Sequence, residues 1–251
     1  MKSLIKAIDV LEALAQAEEL ELGVTELSRR TGIGKVIVHT ILRTYVDRAF
    51  VVQNEDSKRY RLGDRLFELA GRRAEVSTPL SVARAHMRAL LLAVQETVHF
   101  TVPSGNESVV LDIHESPQPV RFAGTLGQRA PLHCTASGKL FLAYGSEAFR
   151  EQVLGGELAP FTDNTVIGVE AIRAELNDVR RQGYATDREE FLPQVNAVAA
   201  PVFDALGKCV AGIAVIGPAQ RLRGDDLPTL SKTVMHTAAV ISNQLKVASK
   251  S

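Results

Sequence analysis

The stretch VTELSRRTGIGKVIVHTILRTYVDR, residues 24–48, holds two short apolar periodicities separated by a glycine-bearing turn. Thr25 opens the first helix, with Glu26 in its first turn and Val24 and Leu27 as apolar anchors. Gly32 stands where that helix should stop, and Ile33-Gly34 make the turn. The second helix runs from about Lys35 to Arg48, with Ile37, Ile41, Leu42 and Tyr45 predicted on its inner face. Upstream, Leu4, Ile5, Ile8, Leu11, Leu14 and Ala15 share one face at helical spacing, which predicts a packing helix. A packing helix followed by two helices across a tight turn is the helix-turn-helix layout.

Downstream, Phe50–Gln53 and Lys58–Leu62 read as two strands joined by the polar turn Asn54-Glu55-Asp56-Ser57. In the second strand Tyr60 and Leu62 share a face and Arg59 and Arg61 share the other, since side chains alternate. The first pair is expected on the helices, and the arginines, with Lys58, are expected outward as a wing that touches phosphates. The zero net charge of the chain hides an asymmetry. Residues 24–73 hold eleven Lys and Arg against six Asp and Glu, whereas the first 23 residues carry more acids than bases. The cationic surplus therefore falls on the candidate nucleic-acid-binding segment.

The run Ser3–Leu69 resembles the DNA-binding domain of IclR-type transcriptional regulators. The resemblance rests on Ala7-Ile8-Asp9-Val10-Leu11, Val24–Ser28, Thr31–Lys35, Val38-His39, Leu42 and Tyr60-Arg61-Leu62-Gly63. It implies contact with a double-stranded DNA operator through Thr25, Lys35, Val36, His39, Thr40 and Arg43, and through Lys58, Arg59 and Arg61 of the wing. Where the family commonly has Ser-Thr after the lysine, this chain has Val36-Ile37, and Thr40 stands where an arginine is usual. Base-edge donors are thereby lost, leaving Lys35, His39 and Arg43 as the polar groups of that helix. The departure implies an unusual operator or weaker DNA contact, and it keeps open a sensing module with weakened or lost DNA readout.

Residues 63–76 read as a linker helix, with Leu66, Phe67, Leu69 and Ala70 apolar, between a winged domain at 1–62 and a larger domain at 77–251. Pro79 suits the first turn of a new helix reaching about Gln95. Beyond it, Val98–Val102, Ser108–Ile113, Pro119–Phe122, Ala197–Phe203 and Cys209–Ile216 read as strands. Helices are expected at Ser137–Tyr144, Val169–Gln182 and Asp225–Lys246. Strands parted by hairpin-length turns favour an antiparallel sheet with helices on it, an α+β fold.

The same resemblance extends over this half through Gly127–Lys139, Gly183–Phe191, Ala199–Asp204 and Val215–Pro218. It implies a GAF-like sheet whose concave face holds a small organic effector, a homodimer or dimer of dimers, and linker helices that couple the two domains. A helix starting near Thr135-Ala136-Ser137-Gly138 offers unpaired N–H groups and hydroxyls, a seat for a carboxylate, unless Thr135 merely caps it. Asp187 matches a family position lining the pocket. Ala197, Ala214 and Ile216 replace positions often small and polar in relatives. The pocket is therefore expected to suit a larger carboxylate, aromatic acids included, with Phe122 and Leu126 on its wall.

Other classes of function find little support. No apolar run approaches the roughly 18–20 residues that span a bilayer, so no membrane partner and a cytoplasmic location are expected. The only cysteines, Cys134 and Cys209, form no metal-ligand spacing. Cys134 beside His133 is expected on a strand, where neighbours point apart and do not pair as a catalytic couple. Asp187, Glu189 and Glu190 lack a nearby histidine, and Gly138-Lys139 lacks the spacing of a phosphate-binding loop. No metal, cofactor or enzymatic activity is expected.

Overall fold

A computed structural model describes residues 2–17, 19, 21–66, 68–69 and 79–248. The chain divides into two compact units, Met1–Val76 and Ser77–Ser251. The first contains α1 (Lys2–Ala15), α2 (Val24–Thr31), α3 (Lys35–Asp47) and an antiparallel hairpin of β1 (Val51–Gln53) and β2 (Tyr60–Leu62). Gly32 ends α2 at φ +69°, a left-handed conformation in which a side chain is strained. The core of this unit is Val10, Leu14, Leu22, Leu27, Ile33, Val38, Leu42, Val51 and Tyr60.

The buried stripes differ from those expected. In α1, Val10 and Leu14 face inward, whereas Leu4, Ile5 and Ile8 are exposed. In α3, Val38 and Leu42 are fully buried and Ile37 is 43% exposed. Both helices are rotated from the reading that maximises apolar matches. The inward stripe is fixed by what packs against it, here Leu27, Ile33 and Tyr60. Tyr45 is half-buried, and its hydroxyl donates to the Ala7 carbonyl at 2.6 Å, tying α3 to α1. In the linker, residues 65, 66, 68 and 69 are helical; the expected continuation to residue 76 lies outside the described residues.

The second unit is built on a six-stranded, wholly antiparallel sheet in the order β5-β4-β3-β8-β7-β6. Its strands are β3 (Thr97–Ser104), β4 (Glu107–His114), β5 (Arg129–Pro131), β6 (Ala185–Arg188), β7 (Val195–Phe203) and β8 (Cys209–Pro218). Helices α4 (Pro79–Val94) and α8 (Leu227–Ala248) share one core with Val98, Phe100, Val198, Ala200, Ile213 and Val215. Helices α5 (Ala136–Tyr144), α6 (Glu147–Leu154) and α7 (Val169–Gln182) share the other with Ala185, Ala197, Ala199 and Ala214. Side chains at alternate positions of one strand thus feed two different cores. The fold is α+β.

The expected strand at 119–122 is absent, and edge pairing falls to Arg129–Pro131, which pairs with Glu107–Val109. Pro117 and Pro119 lack the N–H groups that a ladder needs. Helix α6 and strand β6 were not anticipated from the sequence; both are short, and β6 follows the Gly183 stop of α7 after a single residue.

The hairpin is anchored through its arginine rather than splayed outward. Arg59 donates through Nε and Nη2 to the Glu21 carbonyl, at 3.0 and 2.7 Å. Its guanidinium is thereby partly committed to the protein's own backbone, while the side chain remains 42% exposed. Arg59→Ala is expected to destabilise the first unit by about 1 kcal/mol, read as a shift in urea midpoint with unchanged slope; an unaltered midpoint would show the contact to be idle.

Candidate functional site

Two surfaces concentrate chemistry, one in each unit. On α3, Lys35, Val36, His39, Thr40 and Arg43 are all exposed, as is Thr25 on α2. Lys35, His39 and Arg43 follow one another at four-residue spacing, so they form a single cationic and imidazole stripe. Among the described residues, no side chain caps the N-terminus of α3 at Gly34. In the hairpin, Lys58 and Arg61 are exposed.

The hairpin tip is held by Glu21, whose carboxylate accepts from Asn54 Nδ2 and Ser57 Oγ, each at 2.9 Å. Those hydrogen bonds, Asn54 first, hold the Glu21 carboxyl below the usual range. Asn54 in turn accepts from the Asp56 and Ser57 N–H groups. Glu21 thus presents the wing, and nothing in its sequence context marked it for that role.

The second surface is a cavity enclosing about 560 Å³ of empty space, mouth included, between the sheet and the start of α5. Its walls include Phe122, Ala136, Ser137, Asp187, Ala197, Ala214 and Ile216, together with Val110, Phe191 and Val195. The polar groups are few. Thr101 donates to Gly212 O, Ser108 to Ala130 O, and Thr135 to Pro131 O, so these three hydroxyl protons are already used. Thr135 Oγ1 also accepts from Gly138 N at 3.1 Å and so caps α5. Among the described residues, the Ala136 and Ser137 N–H groups have no acceptor, and the Ser137 hydroxyl has no partner.

Asp187 and His99 set the electrostatics. Burial pushes the Asp187 carboxyl up to about 7, assisted by the neighbouring Glu190 and opposed by hydrogen bonds from the Glu190 and Phe191 N–H groups. Burial lowers His99 to about 4, so its ring is neutral at ordinary pH. The ring lies 5.6 Å from that of Phe122, and Nε2 has no hydrogen-bond partner among the described residues. Among the described residues, the cavity lining therefore carries no cation and one carboxyl that is easily neutralised.

Beneath the cavity Lys139 is wholly buried. Its ammonium donates to Glu190 Oε1 at 2.7 Å, Glu175 Oε1 at 2.6 Å and the Thr186 carbonyl at 3.0 Å. Thr162 and Thr165 hydroxyls hold the carbonyls of Glu189 and Glu190. Gly138 is required beside it, because a Cβ there would collide with Leu132 Cα.

Comparison with known proteins agrees with both units. A family model described as IclR helix-turn-helix domain matches residues 3–55. A second, bacterial transcriptional regulator IclR C-terminal, matches residues 76–243. The chain belongs to the IclR family of transcriptional regulators. It is 33% identical over 240 residues to the HTH-type transcriptional regulator KdgR of Escherichia coli K12, covering 95% of this chain and 90% of that one. It is 30% identical over 223 residues to the HTH-type transcriptional repressor AllR of Klebsiella pneumoniae, covering 88% and 82%. An IclR-type regulator from Alicyclobacillus acidocaldarius superposes with a TM-score of 0.83 at 28% identity, covering 98% of this chain and 99% of that one.

As an IclR-family protein the chain is a regulator with a helix-turn-helix domain and an effector-binding domain, not an enzyme. Cys134 is buried and its thiol is pushed up to about 12 by burial and the nearby acids Asp187 and Glu190. His133 lies instead against the Ala159 carbonyl at 3.0 Å and the Phe161 ring. The segment 132–135 is bent rather than the strand expected. Among the described residues, no group of His, Cys, Asp and Glu is placed to hold a metal ion, and no helix is long and apolar enough to cross a membrane.

Leu126 was expected on the cavity wall and is not there; it is 63% exposed. The chain turns at Leu126-Gly127, with Gly127 N donating to Val110 O, so the side chain leaves the cavity. His99 and Gln128 were missed. His99 was legible as one face of β3, alternating with the core residues Val98 and Phe100.

Lys139→Met would leave Glu190 buried without its counter-charge. Urea unfolding at pH 7 is expected to show a loss of about 3–5 kcal/mol. Burial raises the Glu190 carboxyl, so the loss should shrink as pH falls and that carboxyl takes up a proton. A loss independent of pH would contradict the assignment.

Proposed function

We propose that a small organic carboxylate in the cavity sets the affinity of this regulator for its operator, and that aromatic acids fit better than two- or three-carbon ones. The observation that carries the reading is the cavity's composition: an open helix N-terminus at Ala136-Ser137 beside an Asp187 that is neutral up to about pH 7, within mostly apolar walls. Helix N-termini favour anions, and a protonated Asp187 donates a hydrogen bond where an ionised one repels. Phe122, Ala197, Ala214 and Ile216 supply apolar area for a ring.

Operator contact is assigned to Lys35, Val36, His39, Thr40 and Arg43 of α3, to Thr25 at the start of α2, and to Lys58 and Arg61 of the hairpin. Arg59 acts by holding the hairpin in place. The working unit is a homodimer or dimer of dimers, whose two winged units engage paired half-sites and whose spacing the effector alters. A second reading, a sensing module with weakened DNA readout, is favoured by one observation: Val36 and Ile37 are exposed where a base-reading helix usually carries donors.

Calorimetry with aromatic and short aliphatic acids tests the cavity. The aromatic acids should bind more tightly, and tighter binding of the short acids would sink the reading. The sign of the pH dependence follows from Asp187. Its raised value favours the neutral form, so affinity for an anion should be highest below pH 7. Affinity should fall about tenfold between pH 6 and pH 8, and Asp187→Asn should flatten the profile. A profile that rises with pH would contradict it.

A further inference from the structure

A helix that reads base edges by hydrogen bonding carries donors and acceptors on its solvent side. Beside its Lys35, His39 and Arg43 stripe, α3 has a side that does not. Val36 is 81% exposed, Ile37 is partly so, and Thr40 is exposed one turn later. Thr40 Oγ1 donates to the Val36 carbonyl at 2.9 Å, and Thr44 Oγ1 donates to the Thr40 carbonyl at 3.1 Å. Both hydroxyl protons are therefore committed to the helix backbone. Val36 and Thr40, four residues apart, share one side of α3. The neighbouring stripe is Lys35, His39 and Arg43, all exposed.

Val36, with part of Ile37, leaves a small apolar spot bare on the face proposed to meet the operator. The charges around it select the occupant. Lys35, Arg43, the uncapped N-terminus of α3, and Lys58 and Arg61 of the hairpin ask for a polyanion. A second copy of the same cationic face would be repelled. Duplex DNA is a polyanion whose major groove offers one apolar group, the 5-methyl of thymine. We infer that Val36, with Thr40, reads thymine methyl groups, so that this regulator specifies part of its operator by apolar contact rather than by hydrogen bonds. The inference rests on the operator contact proposed above for α3. It also turns the loss of donors from a sign of weakened readout into a different readout.

The test uses the full chain. Duplexes retained from a random pool at low salt are resynthesised with each thymine replaced singly by uracil, which removes only the methyl. At one or two positions per half-site the replacement should weaken binding about fourfold, the worth of one buried methyl. In Val36→Ser that sensitivity should vanish at one of those positions, while the complex remains salt-sensitive through Lys35 and Arg61. Thr40→Ser, which keeps the hydroxyl bond to Val36 O, should remove it at the other. Thermal unfolding of both variants checks that these exposed changes leave the fold intact. Retained duplexes that are indifferent to every uracil, or equally sensitive in Val36→Ser, would overturn the inference and leave DNA docking standing. If no duplex is retained even at low salt, the docking itself fails and the inference with it.

Discussion

The Lys139 ammonium sits in the second unit with no access to water, and its surroundings have to neutralise it. Glu190 and Glu175 supply the charge and the Thr186 carbonyl a further acceptor. A buried ion pair contributes little net stability, but removing one partner is costly. Its consequence here is geometric. Lys139 belongs to the first turn of α5, Glu175 to α7, and Thr186 and Glu190 to β6 and the turn after it. One side chain thus fixes the helix start that offers Ala136 and Ser137 against the strand end that offers Asp187. Both chain segments line the cavity.

That constraint also accounts for the polarity of the pocket. The Lys139 charge is shared between Glu190 and Glu175, and its pull on Asp187 toward the ionised form is outweighed by burial. Asp187 is left with burial, which favours the neutral acid, and with two backbone N–H groups on one oxygen. The sheet does the rest. Val98 and Phe100 point into the core with α4 and α8, while His99 and Thr101 between and beyond them line the cavity. Small residues on the cavity wall, Ala197 and Ala214, leave room that bulkier ones would fill.

Much of this was legible in the chain, and the failures have physical causes. The helix-turn-helix could be read because Gly32 needs a left-handed turn and the flanking apolar periods are short. The inward stripe of α1 could not, because Leu4, Ile5 and Ile8 satisfy helical spacing as well as Val10 and Leu14 do; only packing partners decide. Periodicity likewise misassigned Ile37, which is exposed beside Val36. Seven of the eight expected effector residues line one cavity, because the residues around Thr135 and Asp187 lie at ends of regular elements. Leu126 does not, since the segment carrying it has two prolines and turns before it can pair. Nothing local in the sequence told Arg59 from Arg61; the difference is a carbonyl at Glu21, far away in the chain.

The central claim is that the cavity and the DNA-reading face are energetically coupled. The most direct measurement is operator affinity with and without a saturating aromatic carboxylate, at pH 6.5 and fixed salt. The account predicts a change of about fivefold or more in Kd, matched by an equal change in the acid's affinity when operator is present. An operator Kd that is the same with the acid bound as without it would contradict the account.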